Sequence, residues 1–384
     1  MSDAIRVLHI VGGMNRAGAE TWLMHILRCV DRERLRMDFI VHSEQDFAYA
    51  DECRSLGSQL LLCESPSRPL RYAHNFRRIL NQSGRYDVVH SHVHHFSGYV
   101  LRLAHESGVP VRIAHSHVDT SEIDQRAGAL RRAYLALSRR WIMQHATCLL
   151  AGTNASARSL FGANYEADSR LQILPYRLDL SEYRVPVDRL QVRASLGLPG
   201  DAFVIGHIGR FSAQKNHAFL IAVAGAVAKR VPKTHLLLLG VGELREEIER
   251  VVAEAGLAHR TVFAGSRADL PRMLAAMDVF VFPSLYEGNP LALIAAQAAG
   301  LPCVISDSIT DEADVVTTLI RRLSLSDPSE TWARAVELLG RHSLNLKSAS
   351  NALEIVGKQR GDLQAGVDEL TAVYEAALRR DIPS

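Results

Sequence analysis

Glu287 stands in the stretch Ser284-Leu285-Tyr286-Glu287-Gly288-Asn289-Pro290-Leu291, directly behind the apolar run VFVFP. Asn289 suits a helix N-cap and Pro290 the first helical position. The loop therefore ends at a helix N-terminus whose N–H groups favour phosphate oxygens. A carboxylate just before that anchor suits sugar hydroxyls, and an ordinary capping carboxylate is the competing reading. Arg210, then Lys215 and Asn216, follow the run FVIGHIG. A planar guanidinium and a point charge on one strand-to-helix loop suit a diphosphate, which needs at least two cations. Two solvated surface charges are the alternative.

Gly12 and Gly13 end the run IRVLHIV, where a backbone without side chains turns sharply and approaches an anion at the start of a helix. The spacing is not a dinucleotide fingerprint, because Met14 and Ala17 stand where glycines would be required. A plain turn remains the other reading. Histidine is frequent, at 17 residues, and six fall at two strand ends: His90, His92, His94 and His95, then His115 and His117. In an extended strand 90, 92 and 94 share a face, as do 115 and 117. Such faces line a cleft with hydrogen-bonding rings, pack inside, or bind a metal, with Asp119 the nearest carboxylate for a zinc set. The expectation is cleft-lining histidines and no metal, with His117 nearest to substrate.

These residues need strands to carry them. Short β-branched runs alternate with longer amphipathic stretches. IRVLHIV, MDFIV, QLLLC, DVVHSH, VRIAHSH, TCLLAG and LQILP are separated by helices near 20–30, 48–56, 70–82, 96–106 and 126–145. The rhythm fades between Asp179 and Asp201 and resumes as FVIGHIG, HLLLLG, TVFAG, VFVFP and PCVIS, with helices near 215–230, 243–255, 269–276 and 290–299. Alternation of this kind predicts two doubly wound, mainly parallel α/β domains. The expected division is 1–180, a linker 181–200, 201–358, and a terminal helix over 359–384 that packs back on the first domain. Ligands of such sheets bind beyond the carboxyl ends of the strands, which is where every residue above stands.

Composition narrows the classes. Lys and Arg number 44 against 42 Asp and Glu, so no global charge favours nucleic acid. The apolar run Ala218–Ala228 is too short for the ~20 residues of a membrane helix, and no secretory pattern opens the chain. Cys29, Cys53, Cys63, Cys148 and Cys303 read as reduced core residues of a cytoplasmic protein. The arginine-rich stretch Leu130–Trp141 either packs as an ordinary amphipathic helix or rests peripherally on anionic lipid at the inner face of a membrane.

GRFSAQKNH, LLLLGVGEL, SLYEGNPLALI, AAGLPCVISD and the opening GGMNRAGAE, in this order over both halves, resemble retaining glycosyltransferases of family 4, and most of all their capsular and exopolysaccharide type. The resemblance implies an α/β GT-B fold, with two Rossmann-like domains facing a central cleft. It implies transfer of a sugar from a nucleotide-diphosphate donor, UDP-linked, to a hydroxyl of a saccharide or lipid-linked saccharide. No cofactor or metal is implied, since the nucleotide sugar is itself a substrate. Arg210 and Lys215 would hold the diphosphate, Gly242 would lie near the nucleotide, and Arg267 with Asp269 would flank the base. Glu287 would contact the donor sugar, with Gly288, Asn289, Pro290 and Leu291 completing that loop. Gly12 and Gly13 would close on the phosphates, and His117 would sit beside the reacting sugar. The chain departs from the family's Glu-x7-Glu pattern at Ala295, where the second carboxylate normally accepts the ribose hydroxyls. It also reads Pro175-Tyr176-Arg177-Leu178-Asp179 where the family has Pro-Asn-Gly-Ile/Val-Asp. A sugar-nucleotide epimerase on the same scaffold and a non-catalytic sugar-nucleotide binder are the alternatives.

Overall fold

A computed structural model describes residues 4–64, 66–342 and 347–380. The chain divides into two compact units, one running to Arg177 and taking in the chain from Asp362 onward, the other spanning Leu178–Gly361.

The first unit holds seven parallel strands, β1 (Ile5–Ile10), β2 (Leu35–Val41), β3 (Leu60–Leu62), β4 (Val88–Ser91), β5 (Val111–Ser116), β6 (Cys148–Ala151) and β7 (Leu171–Ile173). Their order is β3-β2-β1-β4-β5-β6-β7, which reverses between β1 and β4. The second unit holds β8 (Phe203–Ile208), β9 (Thr234–Leu239), β10 (Thr261–Gly265), β11 (Val279–Phe282), β12 (Cys303–Ser306) and β13 (Ile320–Leu323), also all parallel. Here the order β10-β9-β8-β11-β12-β13 reverses between β8 and β11. Helices cover both faces of such sheets, so central strands are apolar almost throughout. Val7, Leu8, Val89, Leu149, Leu237, Val281 and Val304 are fully buried. One core gathers on Leu8, Tyr72, Phe76 and Leu149, the other on Phe211, Leu220, Leu238 and Trp332.

Several local expectations are corrected. The helix expected near 126–145 runs over Ala129–His145, starting where Gly128 is extended at ψ 168°, and the short helix Ser121–Gln125 before it was not anticipated. The stretch 181–200 is no bare linker. It carries the helix Arg189–Ser195, started by Asp188 accepting from the N–H groups of Leu190 and Gln191. Buried Arg193 donates to the carbonyls of Ala276, Gly200 and Ala202 and to Asp278. The helix Asn154–Phe161 was not anticipated although Thr153 and Ser156 form its capping box. Nor were β13, whose IRRL sequence lacks an apolar pattern, and the helices Ser329–His342 and Lys347–Arg360. Four of the five cysteines are buried, but Cys29, at the end of the helix Gly18–Cys29, is exposed rather than in the core.

Candidate active site

The second unit concentrates its chemistry where its sheet order reverses. β8 leads into Gly209, Arg210 and a short turn Ala213–Lys215 before the helix His217–Ala228. β11 leads into the Glu287 loop before the helix Leu291–Ala298. Because β8 and β11 are neighbours, the two loops meet: the Leu285 N–H donates to Gln214 O at 2.8 Å, and Gln214 Nε2 donates to Tyr286 O at 2.9 Å. This clamp sets Lys215 Nζ 2.5 Å from Glu287 Oε1, with side chains only 14% and 7% exposed. Lys215 Nζ also lies 4.7 Å from the Phe282 ring centroid. A nearly dry ion pair is costly unless further groups solvate it.

In the two loops that carry that pair, and in the strand and helix beside them, several polar atoms lack partners. Buried Ser284 Oγ, both amide atoms of Asn289, His207 Nε2 and both ring nitrogens of His217 have no hydrogen-bond partner. Native interiors pair almost all such atoms, so a group of orphans beside a buried charge pair reads as a surface built for a polar ligand. Burial drives both rings neutral, His207 well below the usual imidazole value and His217 down to about 4, with the Lys215 charge adding to each. Gly209 keeps the approach to Lys215 clear, since a Cβ there would stand 2.9 Å from His207 Nε2 and 3.1 Å from Lys215 Cδ.

The anticipated residues separate into those brought together and those apart. Lys215, Glu287, Gly288, Asn289 and Pro290 share the buried loop cluster. Asn289 is not the helix cap, however. Pro290 takes that place and no side chain caps the helix, which leaves the Asn289 amide unbonded and the first N–H groups, at Leu291 onward, without a side-chain acceptor. Arg210 is two-thirds exposed and donates to Glu243 at 3.2 Å. Gly242 lets the chain pack tightly, as a Cβ would fall 2.4 Å from Phe211 O. Arg267 and Asp269 form a two-pronged pair at 2.8 Å beyond β10. Ala295 is buried in the helix Leu291–Ala298. The sequence reading missed His207, His217 and Ser284; a histidine in an otherwise apolar strand was the available signal for His207.

The first unit has a cluster at its own reversal point. In register, His9 of β1 pairs with His90 of β4, β5 adds His115, and His117 follows just beyond its end. His9 Nδ1 lies 3.0 Å from His92 Nε2, His92 Nδ1 lies 2.7 Å from His117 Nε2, and His117 Nδ1 is bonded to the Tyr176 hydroxyl. His90 bridges Tyr374 Oη at 2.8 Å and His115 Nδ1 at 3.1 Å. Burial lowers all five rings, His9 and His117 to about 3. Trp22 packs edge-on to His115 at 5.2 Å and stacks on Tyr176. Both His117 nitrogens are thus engaged. His94 does not share the face of 90 and 92, because β4 stops at Ser91 and His94 turns with φ 48°. His95 instead bonds Asp124 at 3.0 Å, and Asp119 accepts from the N–H and hydroxyl of Ser121 rather than joining the cluster. Sequence reading missed His9, Trp22 and Tyr176, which join only through strand pairing. Gly12 is open, while Gly13 abuts Phe47, where a Cβ would come within 2.4 Å.

The profile described as glycosyl transferases group 1 matches residues 202–341, and that described as glycosyl transferase 4-like domain matches residues 17–177. The chain is 36% identical over 385 residues, covering 99% of both proteins, to the putative glycosyltransferase EpsF of Bacillus subtilis. It is 29% identical over 232 residues, 58% of each chain, to the UDP-Gal:alpha-D-GlcNAc-diphosphoundecaprenol alpha-1,3-galactosyltransferase of Escherichia coli. In fold it is similar to Anabaena Alr3699/HepE, solved in complex with UDP and glucose, at a TM-score of 0.79, 19% identity, and coverage of 97% of this chain and 100% of that one. With two parallel Rossmann-like sheets in the GT-B arrangement of elements and a full-length relative at this identity, the chain belongs to the group 1, GT4-like glycosyltransferases, enzymes that move a sugar from a nucleotide donor.

Proposed function

We propose that this glycosyltransferase is a retaining enzyme of family 4 that takes a UDP-linked hexose and transfers it to a hydroxyl of a saccharide or lipid-linked saccharide during surface polysaccharide synthesis. The observation that carries the reading is the buried Lys215–Glu287 pair, together with unpartnered Ser284 and Asn289 in the Glu287 loop and unpartnered His217 two residues after Lys215. Lys215 is the cation for the donor's diphosphate, joined by the uncapped N-terminus at Leu291. Arg210 exchanges its exposed contact with Glu243 for the same anion. Glu287 and Asn289 take the hydroxyls of the donor sugar. The bond from the anomeric carbon to the diphosphate oxygen breaks as the bond to the acceptor oxygen forms on the same face, and the acceptor's proton passes to the departing phosphate. Positive side chains and helix N–H groups then carry the developing charge, so the step calls for no metal. The E. coli relative's name supports a UDP-linked donor and a diphosphoundecaprenol-linked acceptor, and EpsF supports an exopolysaccharide setting. In this reading the enzyme works in the cytoplasm against the membrane's inner face, touching anionic lipid through the Ala129–His145 helix.

The test is a panel of nucleotide sugars screened for thermal stabilisation, followed by transfer assays with the best donor. One UDP-sugar should raise the melting temperature, and Lys215→Ala should lower turnover by roughly 10²–10³-fold, the usual scale for one lost charge-stabilising donor. Full turnover in Lys215→Ala, or no stabilisation by any nucleotide sugar, removes the reading. Ala295 favours a second reading, a binder without transfer, and product analysis separates the two.

A further inference from the structure

We propose that the first unit holds a binding site for one divalent transition-metal ion of borderline softness, such as zinc or cobalt, with His92, His115 and His117 as ligands. One imidazole nitrogen from each of the three lies within 4.8 Å of the others. The hydrogen bonds select the nitrogens assigned here as ligands. His92 Nε2 is engaged by His9, His115 Nδ1 by His90 and His117 Nδ1 by Tyr176. That leaves His92 Nδ1, His117 Nε2 and His115 Nε2, and the last is fully buried with no partner at all.

A single set of neutral tautomers serves all three ligands. His117 Nδ1–H donates to Tyr176, His92 Nε2–H to His9 Nδ1, His115 Nδ1–H to His90 Nε2, and His90 Nδ1–H to Tyr374. Every ligand nitrogen then presents a bare lone pair while its opposite nitrogen is held by an outer partner, as in established imidazole metal sites. Without an ion, one proton bridges His92 and His117 across 2.7 Å. Two nitrogens about 2.0–2.1 Å from a tetrahedral ion stand roughly 3.3 Å apart, so a shift of a few tenths of an ångström replaces that proton by the ion. The rings also lie close enough for this, with centroids 4.1 Å apart for His115 and His117, 5.0 Å for His92 and His117, and 5.5 Å for His92 and His115. Three imidazoles without thiolate or carboxylate select borderline ions over magnesium or calcium. His92 is half-buried, and the fourth position of a tetrahedral ion is left to an oxygen ligand.

The experiment uses the full chain, stripped with chelator, then given cobalt(II) and desalted. One cobalt per chain should remain, with visible absorption bands of a tetrahedral site and quenching of Trp22, whose ring packs against all three ligands. Trp22→Phe should keep the ion and lose most of that quenching. His92→Gln and His115→Gln should each weaken cobalt binding at least tenfold, while His259→Gln, on an exposed turn, should not change it. No retained cobalt in the native chain, or native-like retention in both His92→Gln and His115→Gln, overturns the site. The native chain decides the matter if the variants fail to fold. Because the readout is ion content and spectrum, its failure leaves the transfer reading untouched.

Discussion

Ala295 puts a buried methyl group in the helix that follows Glu287, eight residues further along the chain. A hydrogen bond to a charged group is worth about 1.5–3 kcal/mol, so Ala295→Glu should tighten UDP binding by roughly tenfold to a hundredfold in titration calorimetry. A binder would gain that affinity and still transfer nothing. His217, beside Lys215, gives a second test. Burial lowers its ring to about 4 in the folded chain, whereas an unfolded histidine titrates near 6.5. The unfolded chain therefore takes up the proton first as pH falls. The contribution is complete above about pH 6.5 and is lost progressively toward pH 4, reaching on the order of 2 kcal/mol by pH 5. Urea titrations at pH 7.5 and pH 5 should show a smaller acid loss in His217→Asn than in the native chain. Lys215 and Glu287 were both legible in the sequence as residues suited to an anion and a sugar. Their pairing was not, because 72 residues separate them and only neighbouring strands bring them together.

Among the elements, the Ala129–His145 helix exposes Leu130, Tyr134 and Leu137, at 90%, 45% and 44%, spaced four and three residues apart along one face. Arg132 and Arg140 are exposed on the same helix, while Arg139 is turned to the carbonyls of Ser159 and Leu160. Replacing Leu130 and Leu137 together by Asp should reduce co-sedimentation with vesicles containing anionic lipid by severalfold, with unchanged melting since both side chains lie outside the core. Binding that ignores both lipid charge and the substitution would remove the membrane contact from the proposal. The helix's apolar and basic composition was visible in the sequence, but which residues face outward was set by packing of Leu135, Ser138 and Ile142 inward. At β13 the sequence was silent, since an edge strand reading IRRL carries no alternation to distinguish it from a loop.

For the whole molecule, the first unit is discontinuous, completed by the last helix, Leu363–Arg380. Leu370 and Tyr374 are fully buried there, and Arg34 pairs with Glu375 at 2.7 Å. Burying two large side chains is worth about 3–6 kcal/mol, comparable to a domain's net stability. A chain ending at Gly361 should therefore lose the protease resistance of its first unit and keep that of the second, as mapped by limited proteolysis. What the sequence determined by itself was local: apolar runs long enough for strands, helices between them, glycines where the backbone turns, and the side chains that stand at strand ends. Those follow from propensity and periodicity within a dozen residues. Only the tertiary structure decided which strand ends are neighbours, and so which orphaned groups lie near Lys215 and how five histidines at the ends of three strands share one cluster. Strand order is settled by the packing of whole elements on a common core, a sum over contacts distant in sequence that no short window contains.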